Sequence, residues 1–187
     1  AALAAGLTPL KINAVIMPGF NESAILPLAR FCLERGAQLR FIEQMPLGPR
    51  EEWDRSRMVT ADDILARLRE GLELHPAEEP RGSAPAALWD ATSRDGSLPP
   101  GRIGVIASVT RPFCGTCDRT RLTTDGAVRN CLFGNSETSL RDLMRNGASD
   151  EELAVAWAGE MWRKLPGHGV NDEGFLQPDR PMSAIGG

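Results

Sequence analysis

Residues 10–45 read L-K-I-N-A-V-I-M-P-G-F-N-E-S-A-I-L-P-L-A-R-F-C-L-E-R-G-A-Q-L-R-F-I-E-Q-M, and their pattern decides the fold class. Leu10 to Met17 alternates and is partly β-branched, and Pro18-Gly19 ends it. That predicts a strand and a turn, with Lys11 and Asn13 on one face of the strand. Asn21 is placed to cap a helix in which Ile25, Leu28, Ala29 and Cys32 recur at helical spacing, with Gly36 as the stop. Pro27 sits awkwardly in that helix and pushes its expected start later. Gln38 to Met45 reads as a second strand, so the stretch is a β-α-β unit with parallel strands and a right-handed crossover. An α/β protein follows.

Downstream of Pro46 the pattern changes. Thr60 with Asp63 has the spacing of a helix cap, ahead of Ile64, Leu65, Leu68 and Leu72 on one helical face. Pro76 to Pro85 is rich in Pro, Glu and Gly and reads as an exposed connection. Ala87 to Ala91, Ile103 to Val109, Arg119 to Thr124 and Ala127 to Phe133 are short runs with turns between them, the pattern of an antiparallel sheet. Two helices come next. One is Ser139 to Asn146, stopped by Gly147; the other is capped by Ser149 with Glu152 and runs to about Lys164. Its Leu153, Ala156, Trp157 and Met161 form an apolar stripe expected to pack in a core. The tail from Gly167 is rich in Gly and Pro, and no internal repeat is present.

At 187 residues and 42% hydrophobic the chain can bury a substantial core. With 21 basic and 25 acidic residues the net charge is −4, which argues against a general nucleic-acid-binding role, so any anion site must be local. No signal peptide and no apolar run of bilayer-spanning length is visible, and the expected location is the cytoplasm. The first residues, A-A-L-A-A-G-L-T, contain no methionine, and the expectation is that the chain continues from something upstream.

Three of the four cysteines, Cys114, Cys117 and Cys131, fall in P-F-C-G-T-C-D-R-T-R-L-T-T-D-G-A-V-R-N-C-L-F, residues 112–133, with spacing C-x2-C-x13-C. Clustering of this kind suits a metal or redox site in a reducing compartment rather than a disulfide framework. Asp125-Gly126 is a two-residue hairpin signal. The hairpin it predicts sets Cys131 near Thr120 and brings the three sulfurs towards one point. Thiolates select zinc, copper(I) or iron–sulfur clusters. A closed zinc site would need His168, His75 or Cys32 as its fourth ligand. Cys32, however, lies on an apolar helix stripe, and both histidines read as surface side chains. A [4Fe–4S] cluster held by three cysteines would leave one iron open. The spacing leaves zinc and cluster both standing. A thioredoxin-like pair is the weaker alternative, because no helix follows it.

Arg119 and Arg121, two apart on a predicted strand, leave one face, and paired guanidinium forks suit phosphate oxygens. The competing reading is a solvated strand face. In the two-residue hairpin register Cys131 would lie on the opposite face, with Thr120, and only a bulge or a cluster at the strand ends would unite the groups.

Taken together, L-K-I-N-A-V-I-M-P-G-F-N-E, R-F-I-E-Q-M-P-L-G, the cysteine stretch with D-R-T-R-L-T-T-D-G, and the terminal G-G resemble the GTP 3′,8-cyclase family. These are the radical S-adenosylmethionine enzymes of the first step of molybdenum-cofactor biosynthesis. The resemblance covers nearly the whole chain. It implies that residues 1–47 are the last β-α-β part of an incomplete TIM-like barrel, and that residues 48–187 are an α+β auxiliary-cluster domain with a short antiparallel sheet. It implies that Cys114, Cys117 and Cys131 hold an auxiliary [4Fe–4S] cluster whose open iron faces the guanine. Arg119, Thr120 and Arg121 match the segment that holds GTP, and Lys11 and Arg40 match residues that reach its triphosphate. Met45 matches a backbone contact to S-adenosylmethionine, and Gly186-Gly187 stand where the family's tail enters the active site. The family tends towards homodimers.

One departure limits the expectation. The C-x3-C-x2-C motif whose cluster cleaves S-adenosylmethionine is absent from these residues. The resemblance then implies the substrate-binding C-terminal part of the enzyme. On that reading the chain is inactive in forming 3′,8-cyclo-7,8-dihydro-GTP without an N-terminal half that supplies S-adenosylmethionine and a second [4Fe–4S] cluster. A zinc-binding non-catalytic module and a small electron carrier are the rival expectations.

Overall fold

A computed structural model describes residues 1–48 and 53–185. The chain divides into two compact units, Ala1–Gln44 with Asp54–Phe113, and Met45–Trp53 with Cys114–Gly187.

In the first unit β1 (Lys11–Ile16) and β2 (Gln38–Glu43) pair in parallel, with Lys11 opposite Gln38 and Asn13 opposite Arg40. The helix between them, α1 (Ile25–Glu34), follows a short 3-10 turn. Pro27 is accommodated in the first turn of α1, where backbone N–H groups lack intrahelical acceptors anyway. Asn21 does not cap the helix. Its Oδ1 accepts from the Met17 N–H at 2.8 Å and its Nδ2 donates to the Val15 carbonyl at 2.9 Å, closing the turn after β1. Helix α2 (Ala61–Arg69) starts with the expected Thr60/Asp63 capping box but stops before Leu72. Leu72 is fully buried and opens a strand instead, β3 (Leu72–Pro76).

β4 (Ala87–Ser93) and β5 (Gly101–Ile106) complete a five-stranded sheet in the order β1-β2-β5-β4-β3. The single antiparallel sheet expected downstream of residue 86 is therefore divided. β5 runs parallel to β2 and antiparallel to β4, and the later strands belong to the second unit. The reason lies in burial: Ile103, Gly104, Val105 and Ile106 are all buried, the continuous run of a central strand covered on both faces. Along β2 burial alternates. Leu39, Phe41 and Glu43 turn towards a core shared with Ala29, Cys32, Ile64 and Leu68 of α1 and α2. Arg40 turns to the other face. The parallel part, β1-β2-β5, is compatible with the edge of a barrel and equally with an open sheet.

The second unit holds β6 (Arg121–Leu122), β7 (Ala127–Arg129) and β8 (Thr138–Ser139), antiparallel in that order, with α3 (Leu140–Arg145) and α4 (Asp150–Trp162). Ser139 caps α3, and the Ser149/Glu152 capping box opens α4. Leu153, Ala156, Trp157 and Met161 are half-buried, and the buried residue of α4 is a charged one, Glu160. Its Oε2 accepts from the Thr138 hydroxyl at 2.8 Å and from Arg163, which offsets part of the cost of burying the charge, while Oε1 has no partner among the described residues. In the tail, Arg180 pairs with Asp125 and Glu137 and donates to the Ala184 carbonyl, and Ile185 is fully buried. Gly186 and Gly187 lie outside the described residues. Among the described residues no helix is long and apolar enough to cross a membrane.

Candidate functional site

In the second unit the hairpin decides the geometry. Thr123 and Ala127 close it: the Thr123 N–H donates to the Ala127 carbonyl at 2.8 Å, and the Ala127 N–H donates to the Thr123 hydroxyl at 2.9 Å. The loop is thus Thr124-Asp125-Gly126, one residue longer than the expected Asp125-Gly126 pair. Gly126 has φ +83°, the left-handed conformation of a three-residue hairpin loop. A Cβ there would stand 2.7 Å from Arg141 Cβ, so helix α3 also requires glycine at this position.

The extra residue shifts the register by one. Arg121 faces Arg129 and Leu122 faces Val128. Continued two residues further, this register sets Cys131 against Arg119 rather than Thr120. Residues opposed across an antiparallel pair share a face, so a ribbon continued in this register would bring Cys131 to the side of the two arginines, by way of a bulge at Gly126, whose N–H donates to the Thr123 carbonyl at 3.0 Å. β6 is shorter than expected, and Arg119 and Thr120 precede it. Thr120 is exposed, with its hydroxyl 3.5 Å from the Arg129 carbonyl.

Cys114 opens a 3-10 turn, Cys114–Thr116, and the Cys117 N–H donates to the Cys114 carbonyl at 3.0 Å. The Arg119 guanidinium is turned onto the Cys117 sulfur, with Nη2 at 3.2 Å and Nε at 3.4 Å. Partial burial raises the Cys117 thiol pKa, but the hydrogen bonds from Arg119 and the charges of Arg119 and Lys164 outweigh it, so the net shift is downward. Cys114 is shifted upward. Burial is the main cause, the negative charges of Cys131 and Cys117 add to it, and a backbone hydrogen bond from His168 opposes it. Arg121 lies below its ordinary value, first from burial and then from the charge of Arg119, while Cys131 and Cys117 pull it back. These mutual influences place the three thiols and two guanidinium groups in one neighbourhood. All four cysteines of the chain are free thiols. Among the described residues no three His, Cys, Asp or Glu side chains are gathered closely enough to hold a metal ion. The cysteines are neighbours that have not converged.

Three thiols are nonetheless a soft donor set that fits an iron–sulfur cluster. The Arg119 N–H donors directed at Cys117 suit a sulfur that carries negative charge as a cluster ligand. Cys32 is elsewhere, 1% exposed in the core of the first unit, with its thiol pKa raised by burial. His75 is exposed on β3. His168 is half-buried, its ring centroid 4.6 Å from that of Phe133 and its Nδ1 accepting the Val170 N–H at 3.1 Å. It is thus partly at the surface, as the sequence suggested, and partly sheltered by Phe133.

Two further expected residues share a face of the first unit's sheet. Lys11 is exposed on β1, and Arg40 is half-buried on β2, opposite Asn13 and Gly104. Gly104 makes room for the Arg40 side chain: a Cβ there would lie 3.2 Å from Arg40 Cγ. Arg40 Nη2 donates to Gln38 at 3.3 Å, and among the described residues its buried Nε has no hydrogen-bond partner. Met45, in the second unit, is half-buried, and its carbonyl accepts the Leu47 N–H at 2.8 Å.

Sequence reasoning gave no part to Lys164. Its Nζ donates to the Arg119 carbonyl at 2.5 Å, a contact between residues 45 apart. Lys164 lies just past the last turn of α4, and no local pattern announces such a contact.

Among known proteins, the chain is 69% identical over all of its 187 residues to a "GTP 3′,8-cyclase" of Corynebacterium glutamicum (strain R), covering 50% of that protein. It is 56% identical over 187 residues to "GTP 3′,8-cyclase 2" of Mycobacterium bovis, covering 52% of it. A "GTP 3′,8-cyclase" of Mycobacterium ulcerans is 55% identical over 186 residues, covering 51%. The chain spans about half the length of the curated relatives it matches. The Molybdenum Cofactor Synthesis C family matches residues 37–170, well over half of the chain and inclusive of the three neighbouring cysteines and both arginines. With identity across the full chain and a family match over that span, the protein belongs to the Molybdenum Cofactor Synthesis C family.

Proposed function

We propose that this chain is the substrate-binding part of a GTP 3′,8-cyclase, with GTP held beside a [4Fe–4S] cluster ligated by Cys114, Cys117 and Cys131. The observation that supports the reading is the Arg119 guanidinium on the Cys117 sulfur, at the foot of a hairpin whose register, continued, would face Cys131 with Arg119. When bound, a three-cysteine cluster supplies one iron without a protein ligand, a Lewis-acid position for the nucleotide base.

The residues' own share is binding and orientation. Arg119 and Arg121 repel each other, and a phosphate between them would relieve that repulsion and take up planar forks of donors. Thr120 adds a hydroxyl. In the first unit, Lys11 and the unpartnered Nε of Arg40 are assigned to the triphosphate. The Met45 main chain is assigned to S-adenosylmethionine. Residues 1–47 are assigned to a partial barrel and residues 48–187 to the auxiliary-cluster domain. Free cysteines accord with a reducing compartment, taken to be the cytoplasm, and a homodimer is the assembly proposed.

Anaerobic reconstitution with iron and sulfide tests the reading. The expected result is a brown protein with about four irons whose spectrum responds to GTP. Arg119→Ala with Arg121→Ala should weaken GTP binding by about a hundredfold or more, because two charge-assisted contacts are lost, with iron content unchanged. Stoichiometric zinc without a GTP response would instead establish the zinc module.

A further inference from the structure

The end of α4 is tied to both sides of the cysteine site. The Glu160 carbonyl accepts from Asn130 Nδ2 at 2.9 Å, and Asn130 immediately precedes Cys131. The Glu160 carboxylate is fully buried and bonded to Thr138 of β8, and Arg163 donates to the same Thr138 hydroxyl at 2.8 Å. These bonds make the last turn of α4 a fixed base. From just beyond it Lys164 reaches the Arg119 carbonyl at 2.5 Å. The loop from Cys114 to Arg119 is thus fastened at its Arg119 end by Lys164.

Arg119 needs that fastening. It lies outside β6, on a stretch of exposed and half-buried residues whose main chain is not held by the sheet. A guanidinium recognises phosphate through two parallel bonds, which demand a fixed direction. A residue whose carbonyl is bound by an ammonium on a rigid helix end has that direction set before the ligand arrives, and preorganisation of this kind lowers the cost of binding. We propose that Lys164 is the positioning residue of the nucleotide site, acting through the Arg119 main chain, with the end of α4 as its brace. The inference rests on the GTP reading above. In it, Lys164 serves affinity for the nucleotide and leaves cluster ligation to the cysteines.

The experiment compares Lys164→Met, Lys164→Arg, Arg119→Ala and the Lys164→Met/Arg119→Ala pair in the iron- and sulfide-reconstituted protein. GTP affinity is read by calorimetry, alongside iron content and Tm. Lys164→Met should weaken GTP binding about tenfold with iron content and Tm as in the unsubstituted protein. Lys164→Arg, which keeps a cationic donor, should recover to within about threefold. In the Arg119→Ala background Lys164→Met should change affinity by less than about twofold, because a residue that acts through another shows strong coupling to it. An additive loss in that background would overturn the proposal, since Lys164 would then contact the nucleotide itself. Unchanged affinity of Lys164→Met would also overturn it, as would a loss of iron or a fallen Tm that arginine does not rescue. If the unsubstituted protein binds no GTP, the GTP reading fails and takes this inference with it, a result distinct from normal binding by both proteins.

Discussion

Replacing Gly126 with alanine tests the hairpin on which the site depends, and the structure supplies its own control. Gly126 and Gly147 have the same φ, +83°. Alanine in that left-handed conformation costs about 1 kcal/mol at either position. They differ in their surroundings. A Cβ at Gly147 meets nothing within 4 Å, whereas at Gly126 it falls 2.7 Å from Arg141 Cβ and 3.5 Å from Arg141 Cα. Carbon atoms settle at about 3.5–4.0 Å, so the first turn of α3 must retreat by roughly 0.8 Å or more. That turn is bonded to the same glycine: the Leu140 and Arg141 N–H groups donate to the Gly126 carbonyl at 2.9 and 3.0 Å. Straining those two bonds adds about 1–2 kcal/mol. Gly126→Ala should therefore cost about 2–3 kcal/mol and Gly147→Ala about 1 kcal/mol. For a chain of this length the two Tm losses should be about 5–10 °C and about 2–4 °C, measured by circular dichroism on metal-free protein. Equal losses for both variants would refute the tight Gly126–Arg141 approach, and the register argument would lose its support.

Two further outcomes are expected. Glu43 is fully buried and accepts from the Ala61 N–H at 2.8 Å, the Val109 and Thr110 N–H groups at 2.9 Å each, and the Thr110 hydroxyl. Glu43→Gln turns one acceptor into a donor facing donors and should cost about 2–4 kcal/mol in urea unfolding; a loss below about 0.5 kcal/mol would show that the knot does not bear on stability. Asp125 has its pKa lowered to about 2, by hydrogen bonds from Thr123 and Arg180. A depressed folded pKa means that its contribution is complete above the unfolded value and fades as pH falls through the folded one. The Tm difference between Asp125→Asn and the unsubstituted protein should thus stay constant from pH 7 to 5 and shrink between about pH 4 and 2. A difference that persists unchanged at low pH would show that Asp125 acts by something other than its charge.

Local chemistry was legible in the sequence. The Thr60/Asp63 and Ser149/Glu152 boxes, the parallel β-α-β unit and the buried Cys32 stand where residue type and spacing put them. Non-local pairing was not. β5 took β2 as a parallel partner across sixty-odd residues of chain, and no pattern within a short apolar run identifies its neighbours. Leu72 fits the helical spacing of α2 and the first position of β3 equally well, and tertiary burial decided between them. For the hairpin, Asp125-Gly126 marked the right turn with the wrong length. The Thr123 hydroxyl, which accepts the Ala127 N–H, helps draw the closing pair outward by one residue on that side. At the site, the cysteines and arginines carried their own signal. Lys164 and His168 did not, because their part comes from where a helix ends in space.

Surface loops usually tolerate gain or loss of a residue. The Thr124-Asp125-Gly126 loop stands outside that rule, because strand side chains alternate with a period of two. Its residue count works as a parity switch for everything beyond it. Removing one residue would turn Val128 and Arg129, and the chain that leads on to Cys131, to the opposite side of the ribbon, whereas removing a symmetric pair, one from each strand, would leave every facing partner in place. In a lineage that keeps the metal-binding chemistry, single-residue length changes between Leu122 and Val128 should be purged and compensated pairs retained, so loop length carries information of the same weight as the cysteines.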